Sequence, residues 1–262
     1  MAAGLTAGAA LVDHLAPARN VVPRENTRTH SMTVQNAAAA LLIILPLAFN
    51  LFFFLLGRRF DYPNILRSPT GEVLSRFKAG GVGLTLLWYG FMLTAILLAP
   101  LAVLLGQVLG RDGLAIVPTA TVVGVLAAVV QFFGLARWPF LVPILARKYA
   151  DPAASEATRE ATVVVFESFH TYLGVAIGES LGYLFTGAWT VLVAIAMLQS
   201  SAFPAWLAWP GIAVGLCLML GSLEFVGRFE ERGWKLAGTI IPIAYIAWSL
   251  WLVISGIVLL IT

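Results

Sequence analysis

The sequence predicts an all-α, polytopic helical membrane protein with six transmembrane helices, with seven as the alternative. The chain has 262 residues, of which 60% are hydrophobic and 11% are charged, whereas a soluble domain carries about 25% charged residues. Several apolar stretches reach the ~20 residues that a spanning helix needs. A chain with so little polar surface cannot cover a water-exposed globule, so a soluble fold is a poor alternative.

Six apolar segments form the predicted spans, and short amphipathic helices are expected beside them at the membrane surface. The spans run approximately over Ala37–Gly57, Gly81–Gln107, Leu114–Ala136, Leu173–Leu198, Gly211–Val226 and Leu236–Thr262. The clearest amphipathic helix is predicted from Thr70 to Lys78, where apolar and charged side chains fall on different faces. Pro100 is expected to kink the second span, because proline lacks an N–H donor.

The chain divides by composition into residues 1–36 and a single helical transmembrane domain over residues 37–262. Residues 1–31 hold several charges and show no sustained periodicity. Two interpretations stay open for them. One is a disordered tail, and the other is a mis-annotated start whose true first residue is Met32.

The distribution of basic residues predicts the orientation. Residues 58–80, 137–160 and 227–236 contain 12 of the 16 lysines and arginines. Basic loops stay cytoplasmic, so these three loops are predicted to face the cytoplasm. Arg137 and Trp138 are interpreted as an interface anchor. The basic residues flank the spans and form no single stripe, which argues against nucleic-acid binding despite the net charge of +3.

The stretch from Ala161 to Ser200 is too long for one simple span. At about 1.5 Å per residue it would reach ~60 Å, against a hydrocarbon core of ~30 Å. The charge distribution favours an amphipathic lead-in at residues 154–172, followed by one span. Two spans here would give the seven-helix alternative.

Glu179 is the strongest candidate for a functional polar site. It lies inside the predicted fourth span, where a carboxylate costs a few kcal/mol and usually marks a function. No lysine or arginine is expected within the spans to pair with it. The candidate partners are Gln131, Asn50, Tyr183 and Glu224. The alternative is a structural hydrogen bond between helices.

Glu167 and His170 form a second polar pair, with the spacing E-x-x-H. On a helix this spacing puts a carboxylate and an imidazole side by side. A di-iron bundle needs two such motifs and two further carboxylates, and the sequence offers one motif. We therefore predict no metal and no cofactor, and expect a hydrogen-bonded pair. On an ideal α-helix Glu179 points away from His170.

Glycines at spacing four predict close helix packing, as in GxxxG interfaces. Gly174, Gly178 and Gly182 form one line, and Gly211 and Gly215 form a second pair that is a plausible partner face. The same faces could serve a homo-oligomer or a partner membrane protein, and the remaining partner is the lipid bilayer.

The sequence does not decide an activity. It has no HExxH, GxSxG, Walker A or GxGxxG motif, and its single cysteine, Cys217, excludes an internal disulfide. Three hypotheses remain: a small transporter or ligand-binding helical bundle with Glu179 in a polar site, a membrane-embedded enzyme that uses Glu167, His170 and Glu224, and a structural or accessory membrane subunit. Whether the protein is an enzyme stays open, with the balance against it.

Several short motifs resemble a bacterial family of multi-span membrane proteins, the domain of unknown function number four-three-eight-six. The motifs are Tyr62-Pro-Asn-Ile-Leu, Trp88-Tyr, Arg137-Trp-Pro, Tyr149-Ala, Phe166-Glu with His170, Gly178-Glu-Ser-Leu-Gly and Gly187-Ala-Trp. The likeness covers about Ala37 to the C-terminus. It implies a helical inner-membrane protein and brings no catalytic residue with it.

Overall fold

The computed structural model describes the backbone of residues 24–262 and the side chains of residues 32–262. Residues 34–262 form one compact unit. The two interpretations of residues 1–31 stay predictions, and residues 1–23 lie outside the described part of the chain. Within residues 24–262 the secondary structure is helical and contains no strand.

Ten long helical segments follow one another along this part of the chain. They are α1 (Arg24–Phe60), α2 (Thr70–Ile96), α3 (Leu98–Leu109), α4 (Val117–Phe140), α5 (Val142–Tyr149), α6 (Glu156–Phe169), a π-helix (His170–Leu181), α7 (Gly182–Met197), α8 (Ala208–Gly221) and α9 (Lys235–Ile261). Short 3₁₀ turns connect some of them.

The prediction of a polytopic helical membrane protein is confirmed. Five helical stretches of the described chain are long and apolar enough to cross a membrane, and a shorter apolar helix covers Ala205–Gly221. Many large apolar side chains are exposed along them, among them Leu47, Phe54 and Ile243 at 57–65%. Such faces suit hydrocarbon and would be a liability in water.

The amphipathic segment at Thr70 is the first part of α2. Val73, Leu74 and Phe77 are buried, while Glu72 and Arg76 form an exposed ion pair at 2.8 Å. Gly81 then turns the backbone with φ +57°, a conformation that glycine adopts without steric cost. The surface segment and the second span therefore meet at a glycine.

The second span is broken near Pro100, as expected. One helix ends at Ile96 and the next begins at Leu98. The break follows from the missing N–H of Pro100, which leaves the carbonyl of Ile96 without its helical donor.

The interpretation of residues 137–160 as a loop with an interface anchor is wrong for its first part. Helix α4 continues to Phe140 and α5 runs on to Tyr149. Pro143 sits in the first turn of α5, where proline is tolerated because that N–H has no helical acceptor. Arg137 and Trp138 are only 7% and 0% exposed. They belong to the bundle interior.

An aromatic cluster fills the interior beside Arg137. Trp88 of α2 and Trp138 of α4 stack with ring centroids 4.3 Å apart and planes within 7°. Phe60 meets both rings edge-on, and Phe166 meets Trp138 in the same way. These rings hold the ends of α1, α4 and α6 against the middle of α2.

Helices α7 and α8 cross at a pair of glycines. A Cβ at Gly187 would lie 2.5 Å from the carbonyl oxygen of Gly215, and a Cβ at Gly215 would meet Gly187 and Val191. Gly211 lies against Trp251 and Ala194. The Gly211–Gly215 pair therefore packs on α7 and α9.

Candidate functional site

The long stretch predicted to hold the polar residues contains a π-helix. Residues His170–Leu181 join α6 to α7 without a break. π-helical hydrogen bonds reach five residues along the chain, are rare, and occur often at functional sites. The nine residues from His170 to Glu179 make two and a half turns of α-helix but about two turns of π-helix. The π-helix therefore turns these two side chains toward the same side.

The glycine line on this segment faces α4. A Cβ at Gly174 would meet the guanidinium of Arg137, one at Gly178 would meet Gly134, and one at Gly182 would meet Gln131. The first line of glycines thus packs on α4, while the Gly211–Gly215 pair packs elsewhere.

Arg137 is the buried cation of the site. Its Nη1 donates to the carbonyl oxygen of Gly134, and its Nη2 lies 3.4 Å from Nδ1 of His170. The guanidinium sits 5.3 Å from the ring centre of Trp138, and its Nε has no hydrogen-bond partner among the described residues. The expectation that the spans hold no lysine or arginine is therefore wrong.

Glu179 lies half-buried in the π-helix, within electrostatic range of Arg137. The two do not form a close pair, because Arg76–Glu72 is the only ion pair within 4.0 Å among the described side chains. Glu224 also interacts with Glu179 through its charge. One cation and two carboxylates thus share this part of the bundle.

Three tyrosines complete the polar cluster around Glu179. Tyr62, Tyr183 and Tyr245 each lie within electrostatic range of its carboxylate. Tyr62 lies in the turn after α1, where burial and the charge of Glu179 raise the pKa of its phenol. Its hydroxyl therefore keeps its proton and can donate a hydrogen bond.

Two of the partners proposed for Glu179 bond elsewhere. Gln131 donates to Oγ1 of Thr186 at 2.7 Å. Asn50 donates to the Ser249 hydroxyl at 2.9 Å and to the carbonyl oxygen of Pro46. Asn50 therefore ties α1 to α9, and Gln131 ties α4 to α7.

Glu224 lies outside the helices, because α8 ends at Gly221 and not at Val226. Its side chain is half-buried. Burial raises the pKa of its carboxyl, and the charge of Arg67 acts in the opposite direction. The Glu224 carbonyl accepts a hydrogen bond from the backbone N–H of Trp234 at 2.7 Å, which closes the loop before α9.

Glu167 and His170 line a pocket of about 220 Å³ between α2 and the start of the π-helix. The Oγ1 of Thr70 donates to Oε1 of Glu167 at 2.8 Å. Thr70 is the first residue of α2, so the carboxylate also lies near the positive end of a helix dipole. Glu179 and Glu224 are not among the residues that line this pocket.

The polar side chains divide into two neighbouring sites joined by Arg137. His170 contacts Arg137 and lines the pocket, whereas Glu179 interacts with Arg137 from the membrane-spanning part of the π-helix. Among the described side chains, residues 32–262, no three His, Cys, Asp or Glu residues are grouped to hold a metal ion.

Sequence reasoning missed Arg137, Tyr62 and Tyr245. An arginine beside a tryptophan is typical of a membrane interface, so Arg137-Trp138 carried no signal of burial. The tyrosines come together only through packing. The faint signal was Gly174, because a glycine in an apolar helix leaves room for a bulky group on its neighbour.

The fold and these sites define a class: a polytopic helical membrane protein with a charged cluster inside the bundle. The sequence profile of the family described as Domain of unknown function (DUF4386) matches residues 37–256. The chain belongs to this family, as the motif resemblance indicated. Searches of curated proteins and of solved structures each returned no match.

Proposed function

We propose that the protein is a small proton-coupled transporter, in which Glu179 takes up and releases a proton and Arg137 is its fixed counter-charge. The observation that supports this most is the buried guanidinium of Arg137 on α4. Glu179, on the π-helix, lies within electrostatic range of it but outside ion-pair distance. Charged groups inside membrane bundles usually mark ion or substrate pathways.

A purely structural role explains the charges poorly. Gly178 and Gly182 already let α4 approach, through contacts with Gly134 and Gln131 that involve no charge. Apolar side chains of similar volume are often as stabilising as a buried ion pair, or more so. The retained arginine and glutamate therefore favour a role in moving charge.

Proton exchange at Glu179 changes the net charge of the cluster. With Glu179 protonated, Arg137 stands without an ionised partner on the π-helix; with Glu179 ionised, the two charges offset each other. In a low-dielectric interior this difference is large compared with thermal energy. A change of that size can bias the packing of α4 against the π-helix, which is the interface that the glycines bring close.

The proposed setting is the inner membrane of a bacterial cell, with the basic segments 58–80 and 227–236, and the part of 137–160 that follows Phe140, on the cytoplasmic side. The exposed apolar faces of the helices then contact lipid. A homo-oligomer or a partner membrane protein stays a prediction. Such an interface would have to form away from the five glycines proposed for helix packing, because each of them contacts a neighbouring helix of the same chain.

Proton flux into liposomes tests the proposal. The full-length protein is reconstituted with a pH-sensitive dye inside, and valinomycin sets a potassium diffusion potential in the presence of mixed amino acids, sugars and organic acids. We expect proton uptake above protein-free liposomes, and loss of it in Glu179→Gln and Arg137→Gln. Glu160→Gln, the same chemical change at an exposed position of α6, is the matched control. Wild-type flux in Glu179→Gln would refute the proposal.

A membrane-embedded enzyme is the second candidate, and the pocket at Glu167 and His170 favours it. Glu224, the third residue assigned to that hypothesis, does not line the pocket. Loss of function in Glu167→Gln with normal function in Glu179→Gln would favour the enzyme. An accessory subunit predicts that neither substitution affects flux while both leave the fold intact.

A further inference from the structure

The pocket beside Glu167 has the size and lining of a site for a small polar group. Its volume of about 220 Å³ is below the roughly 300–1,000 Å³ of pockets that hold drug-sized ligands. Hydroxyls, one carboxylate and one imidazole share the lining with apolar side chains. The residues are Leu66, Ser68, Thr70, Val73, Phe166, Glu167, His170 and Thr171.

The pocket carries a negative charge. Glu167 is its only acidic residue, and no lysine or arginine is among its lining residues. Glu167 takes part in no ion pair with the described side chains. Its Oε1 accepts from Thr70, and its Oε2 accepts no hydrogen bond from the part of the chain that the structure describes. Glu167 therefore lines the cavity with a carboxylate of which one oxygen has no bond to the described chain.

His170 supplies a donor to the same cavity. A guanidinium can only donate, so Nδ1 of His170, 3.4 Å from Nη2 of Arg137, is the acceptor. The ring proton then resides on Nε2. The imidazole stacks on Phe166, with centroids 5.7 Å apart and planes within 5°. Since Arg137 does not line the pocket, the imidazole separates the guanidinium from the cavity.

We infer that this pocket binds a small primary amine that carries a neighbouring oxygen, the chemistry of ethanolamine, either as a free solute or as the headgroup of a phospholipid. The ammonium pairs with Glu167, whose exposed carboxylate lines the pocket and has no ion-pair partner among the described side chains. A hydrogen bond between an ammonium and a carboxylate is stronger than one between neutral groups. The oxygen accepts from Nε2 of His170 and from the hydroxyl of either Ser68 or Thr171. The methylene groups lie against Phe166.

The site is separate from the proposed proton site at Glu179, and each can fail without the other. Glu167 lines the pocket and Glu179 does not. Variants of Glu167 therefore report on amine binding, while variants of Glu179 report on proton flux.

Isothermal titration of the full-length protein in phosphatidylcholine nanodiscs tests the inference. Ethanolamine is compared with ethylene glycol, a neutral analogue of similar size, and with inorganic phosphate. We expect ethanolamine to bind and the other two to bind at least about tenfold more weakly, because only the ammonium makes a charge-assisted bond to Glu167. Equal binding of ethylene glycol, or preferred binding of phosphate, would overturn the inference. This comparison needs no variant.

Glu167→Gln gives the second readout. Its amide oxygen can still accept from Thr70, so the substitution removes the charge and retains that contact. We expect ethanolamine affinity to fall about ten- to hundredfold. Glu156→Gln, in the exposed first turn of α6, is the matched control and should bind as the wild type does. Unchanged affinity in a folded Glu167→Gln protein contradicts the site.

The source of the amine is decided by lipid retention. Native mass spectrometry of protein from nanodiscs with equal phosphatidylethanolamine and phosphatidylcholine measures which lipid stays bound. Retained phosphatidylethanolamine that is lost in Glu167→Gln identifies a lipid headgroup. Binding of free ethanolamine without lipid retention identifies a soluble amine. Absence of both overturns the inference.

Discussion

The guanidinium of Arg137 lies directly against Gly174, in space that any side chain at position 174 would occupy. A Cβ there would lie 2.5 Å from Nη2 and 2.6 Å from Cζ of Arg137. The cation can enter the interface between α4 and the π-helix because the residue opposite has no side chain. The same contact sets the guanidinium beside His170 and within electrostatic range of Glu179.

Gly174→Ala should therefore destabilise the protein by displacing Arg137. Overpacking of this kind costs about 1–3 kcal/mol, measurable as a lower midpoint of thermal unfolding in detergent. Gly83→Ala is the matched control, because its Cβ would meet only Nη1 of Arg59 at 3.9 Å, and alanine is favoured over glycine within a helix. Equal midpoints for the two variants would contradict the contact.

Gly187→Ala and Gly215→Ala should each destabilise more than Gly174→Ala. Their new Cβ atoms would meet the backbone of the facing helix, which cannot rotate away as a side chain can. We expect the cost to reach or exceed about 3 kcal/mol, the upper end of the overpacking range. The check is the same unfolding assay, and a milder effect at Gly187 than at Gly174 would show that α7 and α8 can separate locally.

Substitutions of Arg137 and Glu179 should be energetically coupled. Arg137→Gln leaves Glu179 without its cation, and Glu179→Gln leaves Arg137 without its anion, so the double variant should lose less stability than the two single losses predict. Residues that interact in this way show coupling energies of about 0.5–3 kcal/mol. A double-mutant cycle on unfolding free energies measures this. Arg147→Gln, exposed on α5, should show no coupling with Glu179→Gln.

The free energy of unfolding of the wild type should fall relative to that of the Glu224→Gln variant as the pH rises above about 4.5. Burial raises the pKa of Glu224 above the ordinary value of 4.5, so the unfolded chain releases this proton at lower pH than the folded protein does. The folded state then binds more protons across the window between the two pKa values, and its stability decreases there as pH rises. The glutamine variant lacks this loss.

Thermal unfolding of wild type and Glu224→Gln between pH 4 and pH 8 measures the difference. The pH-dependent difference should be larger when both proteins also carry Arg67→Gln, because the charge of Arg67 lowers the pKa of Glu224. Glu231→Gln, an exposed residue of the same loop, is the control. A difference that stays constant with pH, or narrows as pH rises, would contradict the role of burial.

Only some boundaries of the helices followed from apolar length, proline and glycine. The sequence predicted a kink near Pro100, and the helix is interrupted at Leu97. It did not predict that α4 would continue past Arg137. There the local signal for an interface, a basic residue beside a tryptophan and two prolines, was overridden by packing of Trp138 against Trp88 and Phe60.

The candidate site was predictable only in part. Glu167, His170 and Glu179 stand out in the sequence because ionisable groups are rare in apolar stretches. Their relative placement did not follow, because an α-helical wheel puts His170 and Glu179 on opposite sides. The π-helix changes the number of residues per turn, and no residue type signals it.

The sequence by itself determined the class of this protein, because composition and the lengths of the apolar stretches depend on no long-range contact. Hydrocarbon forces such stretches into helices, since every backbone hydrogen bond must be made within the segment. Only the tertiary structure decided where the charge lies. Arg137 is buried because α4 continues as a helix, Gly174 leaves room for the guanidinium, and the π-helix turns His170 and Glu179 toward it.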